Sequence, residues 1–305
     1  MKVQKHAQLD ALKTWLCEHI PCDFNIAWLE SFDISAYLKQ TKTLDIHPAE
    51  RIRRLCIFLE EERGAELLAE YLRSWRALQR IYDEARMLDP ENTTIIVSNA
   101  ISAMSVGDGV EDEDEAVAFY ESAKNLLSQA LELDANSHRA LYAMGLCEYD
   151  RPDGNGRSET ALPWFERACR SAPGGERANA WANLYRAHCL HDMEQWDAAV
   201  AAYEAVDRDA FEGLRSWRAN KLLEQMAFCR LRAHDRSGAL RDFREALGIY
   251  SGLTEQEFIE HPYPMELLEA ACGPLRDELG AGVMGLAKRH DWQFAIERLR
   301  KTAVS

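Results

Sequence analysis

One spacing recurs five times in the chain and constrains its fold more than any other feature. A small or apolar residue is followed four positions later by an aromatic residue or Leu, then a small residue three later, then a stop five later. The copies are Leu78, Tyr82, Ala85, Pro90; Ala123, Leu127, Ala130, Ala135; Ala161, Phe165, Ala168, Pro173; Ala199, Tyr203, Val206, Phe211; and Ala239, Phe243, Ala246, Ser251. The stops at 90, 135, 173, 211 and 251 lie 45, 38, 38 and 40 residues apart. Offsets of four and three keep these side chains on one face of a helix, so each copy predicts a helix with one buried seam. A period of this size is the mark of an array of supersecondary units, each stabilised by stacking on the next.

A second pattern precedes most copies: a large apolar residue, another three later, and a small residue beside it. Leu141, Met144, Gly145 and Leu223, Met226, Ala227 fit it, and Ile96, Asn99, Ala100 fits less closely. Trp181, Leu184, Tyr185 keeps the large residues and puts Tyr where the small one belongs, which predicts a wider helix pair there. A Gly or Ala at that place lets two helices approach closely. Together the two patterns resemble the tetratricopeptide repeat, with its W-x2-L-G-x2-Y and A-x3-F spacings and terminal Pro, over residues 64–251. The resemblance implies an all-α, right-handed superhelical solenoid of antiparallel helix pairs with helical caps. The family period is about 34 residues, so every interval here carries an insertion.

The insertions are legible. Residues 105–115, Ser-Val-Gly-Asp-Gly-Val-Glu-Asp-Glu-Asp-Glu, read as an acidic loop inside one helix pair, and 150–159 as a second loop rich in turn formers. Asp153-Gly154-Asn155-Gly156 invites a calcium reading, but Arg151 and Leu162 then occupy the first and last ligand positions, where carboxylates are needed. Residues 1–63 read as a helical N-terminal cap: Leu9, Leu12, Leu16 and Ile20 mark one helix face that Pro21 closes, and Ile52, Leu55, Cys56 and Leu59 mark another. The cluster Arg51, Arg53, Arg54 reads as a solvated helix face rather than a DNA-reading helix. His261-Pro262-Tyr263-Pro264 breaks the pattern, and Trp292, Ala295, Leu299 then echo Trp196, Ala199, Tyr203, so 252–305 reads as a C-terminal cap.

Composition narrows the function. The 305 residues carry 51 acidic and 36 basic side chains, a net charge of −15, and such a surface repels phosphate backbones, so no nucleic-acid partner is expected. No apolar run is long enough to span a bilayer and no secretory h-region opens the chain, which leaves a cytoplasmic placement. The eight Cys form no CxxC pair and lie in apolar helical patterns, as reduced core residues do; Cys17 with Cys22, and His188 with His191, lack the second pair that a zinc site needs. Phosphate loops, GxSxG and HExxH are missing, so neither catalysis nor a cofactor or metal is expected.

The expectation that remains is binding. In a helix-pair solenoid the first helix of each pair lines the inner face. At about 100° per residue, Arg139, Tyr142, Leu146 and Tyr149 stand beside the packing residues of their helix. Corresponding positions are Asn179, Asn183 and Arg186, then Lys221, Glu224, Gln225 and Phe228. The partner-binding candidates are therefore Arg139, Tyr142, Tyr149, Asn183, Arg186, Lys221 and Phe228. Their cations run against the acidic trend of the chain and predict a protein or peptide partner that is acidic or carboxylate-bearing. Some tetratricopeptide proteins grip heat-shock chaperone C-termini with a Lys, Asn and Arg set, of which only part is matched here. The reading is a scaffold or adaptor; the alternative is a regulatory or neutralising partner that wraps one protein, as immunity proteins and secretion chaperones do, and a helical-repeat enzyme comes third.

Overall fold

The computed structural model describes residues 2–19, 26–44, 46–61, 71–153, 157–171, 176–211, 216–260 and 262–302. Ile20, Pro21, Cys22, Gly154, Asn155, Gly156, Pro173 and His261, and the side chains of Cys56, Leu59 and Asn179, lie outside the described residues. The chain forms two compact units, Met1–Ser171 and Ala172–Ser305. Both are all-α, and no strand occurs among the described residues.

In the first unit, α1 (Lys2–His19), α2 (Ile26–Ser31), α3 (Ile34–Gln40) and α4 (Pro48–Glu61) precede α5 (Tyr71–Leu88), α6 (Thr93–Gly109), α7 (Glu113–Leu133), α8 (His138–Tyr149) and α9 (Arg157–Ser171). The starts follow from capping chemistry: Asn92, Asp112 and Ser137 each accept a hydrogen bond from the backbone N–H three residues on. α6 packs against α7 and α8 against α9, while α8 also packs on α6, so successive pairs stack. Leu12 and Leu16 of α1, Tyr37 of α3 and Leu55 of α4 share one core with Leu78 and Tyr82 of α5 and Ile95 of α6. The N-terminal helices thus cover the open side of the array with apolar contact of their own.

The repeat signature lies where its spacing puts it. Tyr82, Leu127, Phe165, Tyr203 and Phe243 are all 1% exposed or less, and the small residues around them are buried with them. At Gly145 an added Cβ would stand 2.6 Å from Cε1 of Phe165, so the glycine is what admits the ring. Tyr185, the bulky replacement at the equivalent place in its helix, is half-buried and packs on Trp181 and His188.

Two sequence expectations need correction here. Residues 105–115 are not a loop: α6 continues to Gly109, α7 starts at Glu113, and only three residues separate them. Asp112 caps α7 through Glu115 N–H at 2.8 Å, and Glu113, Asp114 and Glu115 fill its first turn, where the helix dipole favours negative charge. The acidic run is a helix start. Asp112→Ala is accordingly expected to lower stability by about 1 kcal/mol in urea unfolding, the usual cost of a lost cap; an unchanged midpoint would contradict the cap assignment. Arg51, in turn, is not solvated but 6% exposed, because its guanidinium donates to Leu38 O and Thr41 Oγ1 and ties α4 to the end of α3. Arg53 and Arg54 pair with Glu50 on their own helix.

The second unit comprises α10 (Glu176–Asp192), α11 (Trp196–Glu204), α12 (Ser216–Arg232), α13 (Arg236–Gly252), α14 (Glu255–Glu260), α15 (Met265–Cys272), α16 (Arg276–Arg289) and α17 (Gln293–Thr302). One turn is used three times. Glu194, His234 and Asp291 take positive φ of 57°, 66° and 50°, and the next residue's N–H bonds back to Leu190 O, Arg230 O and Ala287 O respectively. Aligned on that turn, Trp292 stands where Gln195 does, one residue earlier than its sequence echo of Trp196 suggests. α15 packs on α12 and α16 on α13, so the helix-pair stacking continues past residue 252 and α17 covers its end. A Cβ at Gly282 of α16 would stand 2.7 Å from Cδ2 of Leu247, which marks a close helix approach.

Candidate functional site

The predicted partner-binding residues fall in both units, on α8 in the first and on α10 and α12 in the second. On α8, Arg139 sits one helix across from α6. Its guanidinium donates to Thr94 O and to the buried Ser98 Oγ, each at 3.1 Å, which fastens the two helices. Tyr142 and Tyr149 lie one on each side of Phe165, with ring centroids 5.9 and 6.5 Å from it. Both tyrosines are half-buried, so each combines a packing contact with an open edge.

On α10, Asn183 is only 8% exposed. Arg186, one turn further, is half-buried and makes no hydrogen bond or ion pair among the described residues. On α12, Lys221 and Phe228 are both engaged. The Lys221 ammonium donates to Glu224 Oε2 at 3.2 Å and to Glu266 of α15. Phe228 joins a ring cluster with His191 and Trp196, at 5.8 and 6.0 Å, over which the Arg232 guanidinium lies.

Glu224 is the centre of the most buried polar group in this region. It is 0% exposed, accepts the Leu267 N–H at 2.9 Å and the Tyr250 hydroxyl at 3.3 Å, and faces Glu266. Burial, and then the charge of Glu266, push its carboxyl well above the usual carboxylate range. Glu266 goes the other way: its own burial is outweighed by Lys221 and by the hydrogen bond with Glu224. Lys221 is itself penalised by burial, yet the two glutamates hold its ammonium above its ordinary value. The opposite shifts favour the proton on Glu224 and the charge on Glu266, beside the single Lys221 cation.

Sequence spacing had placed Lys221 and Glu224 on one stripe, and the structure keeps them together. The spacing did not point to Glu266, Tyr250, His191, Trp196 or Arg232; the first four come from other helices, and no local period links them to α12. Of the cysteines, Cys147, Cys189 and Cys229 are buried as expected, while Cys17 is exposed, because it is turned away from the α1 face that buries Leu12 and Leu16. Burial pushes the Cys147 and Cys229 thiols up to about 12, so both stay protonated at neutral pH. Among the described residues no group of three His, Cys, Asp or Glu is arranged to hold a metal, and no helix is long and apolar enough to cross a membrane.

No family model and no curated protein matches the chain. Among solved structures, the chain is similar to YrrB, a TPR protein with an unusual peptide-binding site, at 17% identity and a TM-score of 0.47, over 78% of this chain and 97% of that one. It is similar to the MamA protein at 15% identity and a TM-score of 0.43, over 65% and 92% of the two chains. A thermophilic TPR protein of Thermus thermophilus, TTC0263, matches at 15% identity and a TM-score of 0.41, over 66% and 90%. By its own buried signature residues and its stacked helix pairs, the chain is a tetratricopeptide-like helical-repeat protein.

Proposed function

We propose that the chain is a non-catalytic interaction scaffold that holds an acidic or carboxylate-bearing segment of a partner protein on the α10–α12 side of its second unit. Arg186 carries this reading. In a chain with 51 acidic against 36 basic residues, most half-buried guanidinium groups are tied to a carboxylate or a carbonyl. Arg186 is half-buried and has no such partner among the described residues, although its environment strengthens any charge pair it makes. Asn183 on the same helix and Phe228 on α12 would supply polar and apolar contact to such a segment, as binding hot spots need. Arg139, Tyr142 and Tyr149 form the corresponding face of the first unit, and Lys221, held between two carboxylates, serves the fold before it serves a ligand. Protonated, buried thiols suit a reducing compartment, and we place the scaffold in the cytoplasm.

The test is affinity capture from native extract with wild-type and Arg186→Glu chains as paired baits. The expected result is one partner that is captured by the wild type, is released as salt rises, and is lost with the variant while the unfolding midpoint is unchanged. A partner captured equally by both baits would remove Arg186 from the binding surface.

A further inference from the structure

In the first unit, the turn between α7 and α8 and the last turns of α9 border an open cavity of about 530 Å³. Among the described residues its wall is made by Asn136, Arg167, Arg170 and Ser171. Two of these four carry guanidinium groups, in a chain where acidic side chains outnumber basic ones by 51 to 36. Arg167 is fixed in place. Its guanidinium lies over the Trp164 ring at 4.9 Å and spends one N–H on Ala135 O at 3.2 Å, which ties α9 to the turn and leaves its other donors. Among the described residues Arg170 meets only Glu166, at 3.9 Å and so beyond hydrogen-bond distance, with 68% of its side chain exposed. So loose and solvated a pair is worth little, and turning Arg170 onto a ligand costs little. The Asn136 amide and the Ser171 hydroxyl make no side-chain hydrogen bond among the described residues, and each adds a neutral donor to the wall.

Carboxylates stand near this wall but do not form it. Glu166, Asp134 and Glu132 lie on the same turns, and none of them lines the cavity. Asp134 is turned to the backbone, where its Oδ1 accepts the Asn136 N–H at 3.1 Å, and His138 holds Ala168 O through Nδ1 at 2.8 Å. The start of α8 and the end of α9 bring opposite partial charges of about half a unit each, which nearly cancel. The two guanidinium groups therefore set the sign of what the cavity takes. We propose that it binds the phosphoryl group of a small phosphomonoester, with Arg167 and Arg170 as charged forks and Asn136 and Ser171 as neutral donors. A fork pairs with two oxygens at a time, and a phosphoryl group offers three terminal oxygens where a carboxylate offers two, so it matches this number of donors better. A phosphoryl group alone leaves most of 530 Å³ empty, and the volume falls within the range of about 300–1,000 Å³ for small-molecule sites, which gives room for an organic part. The site is independent of Arg186, which belongs to the second unit.

The experiment titrates the full chain with ribose 5-phosphate, ribose, inorganic phosphate and succinate in a calorimeter, at one ionic strength and at a pH well above the second phosphate pKa of about 6. Ribose 5-phosphate is expected to bind and ribose not to. Inorganic phosphate should compete for the same site more weakly, and succinate, of equal charge, should bind about tenfold more weakly or worse. Arg170→Gln should weaken ribose 5-phosphate about tenfold, the usual effect of losing a charged hydrogen bond, and Arg170→Lys should restore only part of the loss, because it returns the charge without the fork. Both variants should keep the wild-type unfolding midpoint, since Arg170 makes only its loose pair with Glu166 among the described residues. Arg208→Gln, which removes an exposed guanidinium of the second unit, should leave binding unchanged. No binding of ribose 5-phosphate to the wild type, equal binding in Arg170→Gln, or succinate binding as tight as ribose 5-phosphate would overturn the proposal. So would inorganic phosphate that binds as tightly as ribose 5-phosphate, since the organic part would then contribute nothing.

Discussion

Phe165→Ala is expected to cost about 3–5 kcal/mol in urea unfolding, the range for emptying a fully buried aromatic site. The ring is 0% exposed and fills the space left by Gly145, where a Cβ would approach Cε1 to 2.6 Å. Tyr142 and Tyr149 stand on either side of it, so removing the ring takes the packing partner from three residues of the facing helix at once. A site collapses poorly when its walls are held elsewhere. Arg139 and Ser137 fix the start of α8, through α6 and through its own N-cap, and Cys147 packs in the core with Tyr120 of α7. The cavity is therefore retained and the cost is high. Because each pair leans on its neighbours, the loss should also reach α6 and α7, visible as reduced amide protection there. A loss below about 1 kcal/mol would place the ring in a site that relaxes freely, which the fixed walls argue against.

Phe165 also shows why so much of the fold could be read from the chain. A helix face is a local property: offsets of three and four bring residues to one side whatever lies beyond. Ala161, Phe165 and Ala168 declare a seam before the partner helix is known, and the other copies do the same. What escaped the reading depends on distance or on ends. The acidic run from Glu111 to Glu115 has loop composition, yet Asp112 turns it into a cap and the dipole of α7 welcomes its charges. The turns at Glu194, His234 and Asp291 carry no glycine to announce their positive φ. Arg51 looks like a surface cation because its acceptors, Leu38 O and Thr41 Oγ1, lie on other elements. The candidate site was legible as a stripe on α12 but not as a group, since Glu266 reaches it from α15.

That group supports the second large effect. Lys221→Ala is expected to cost about 3–5 kcal/mol, because it leaves the buried Glu224 and the half-buried Glu266 without their cation. Glu224 is fully buried, and its Oε1 accepts the Leu267 N–H in the first turn of α15, where Pro264 provides no side-chain cap. The same residue therefore docks α15 on α12 and satisfies its helix start. Its protonation sets a pH dependence. Burial raises the folded pKa of Glu224 above the ordinary carboxylate value of 4.5, so the folded chain keeps a proton that the unfolded chain has released. The stability contributed by Glu224 is complete below the ordinary carboxylate range and is lost as pH rises through its raised folded value. Glu266, whose folded pKa is depressed, behaves oppositely: its contribution is present above the carboxylate range and disappears as pH falls through its lowered value. The second unit should then lose stability progressively from about pH 4.5 up to about pH 8, because over that range the folded chain must give up a proton from a buried group holding one ammonium. Glu224→Gln keeps an acceptor for Leu267 N–H and stays neutral at every pH. It should remove most of that loss, whereas Lys221→Ala should destabilise throughout the range. If unfolding curves of wild type and Glu224→Gln run parallel across the same pH values, Glu224 does not carry the extra proton in the folded state, and the link between α12 and α15 rests on the Lys221–Glu266 ion pair instead.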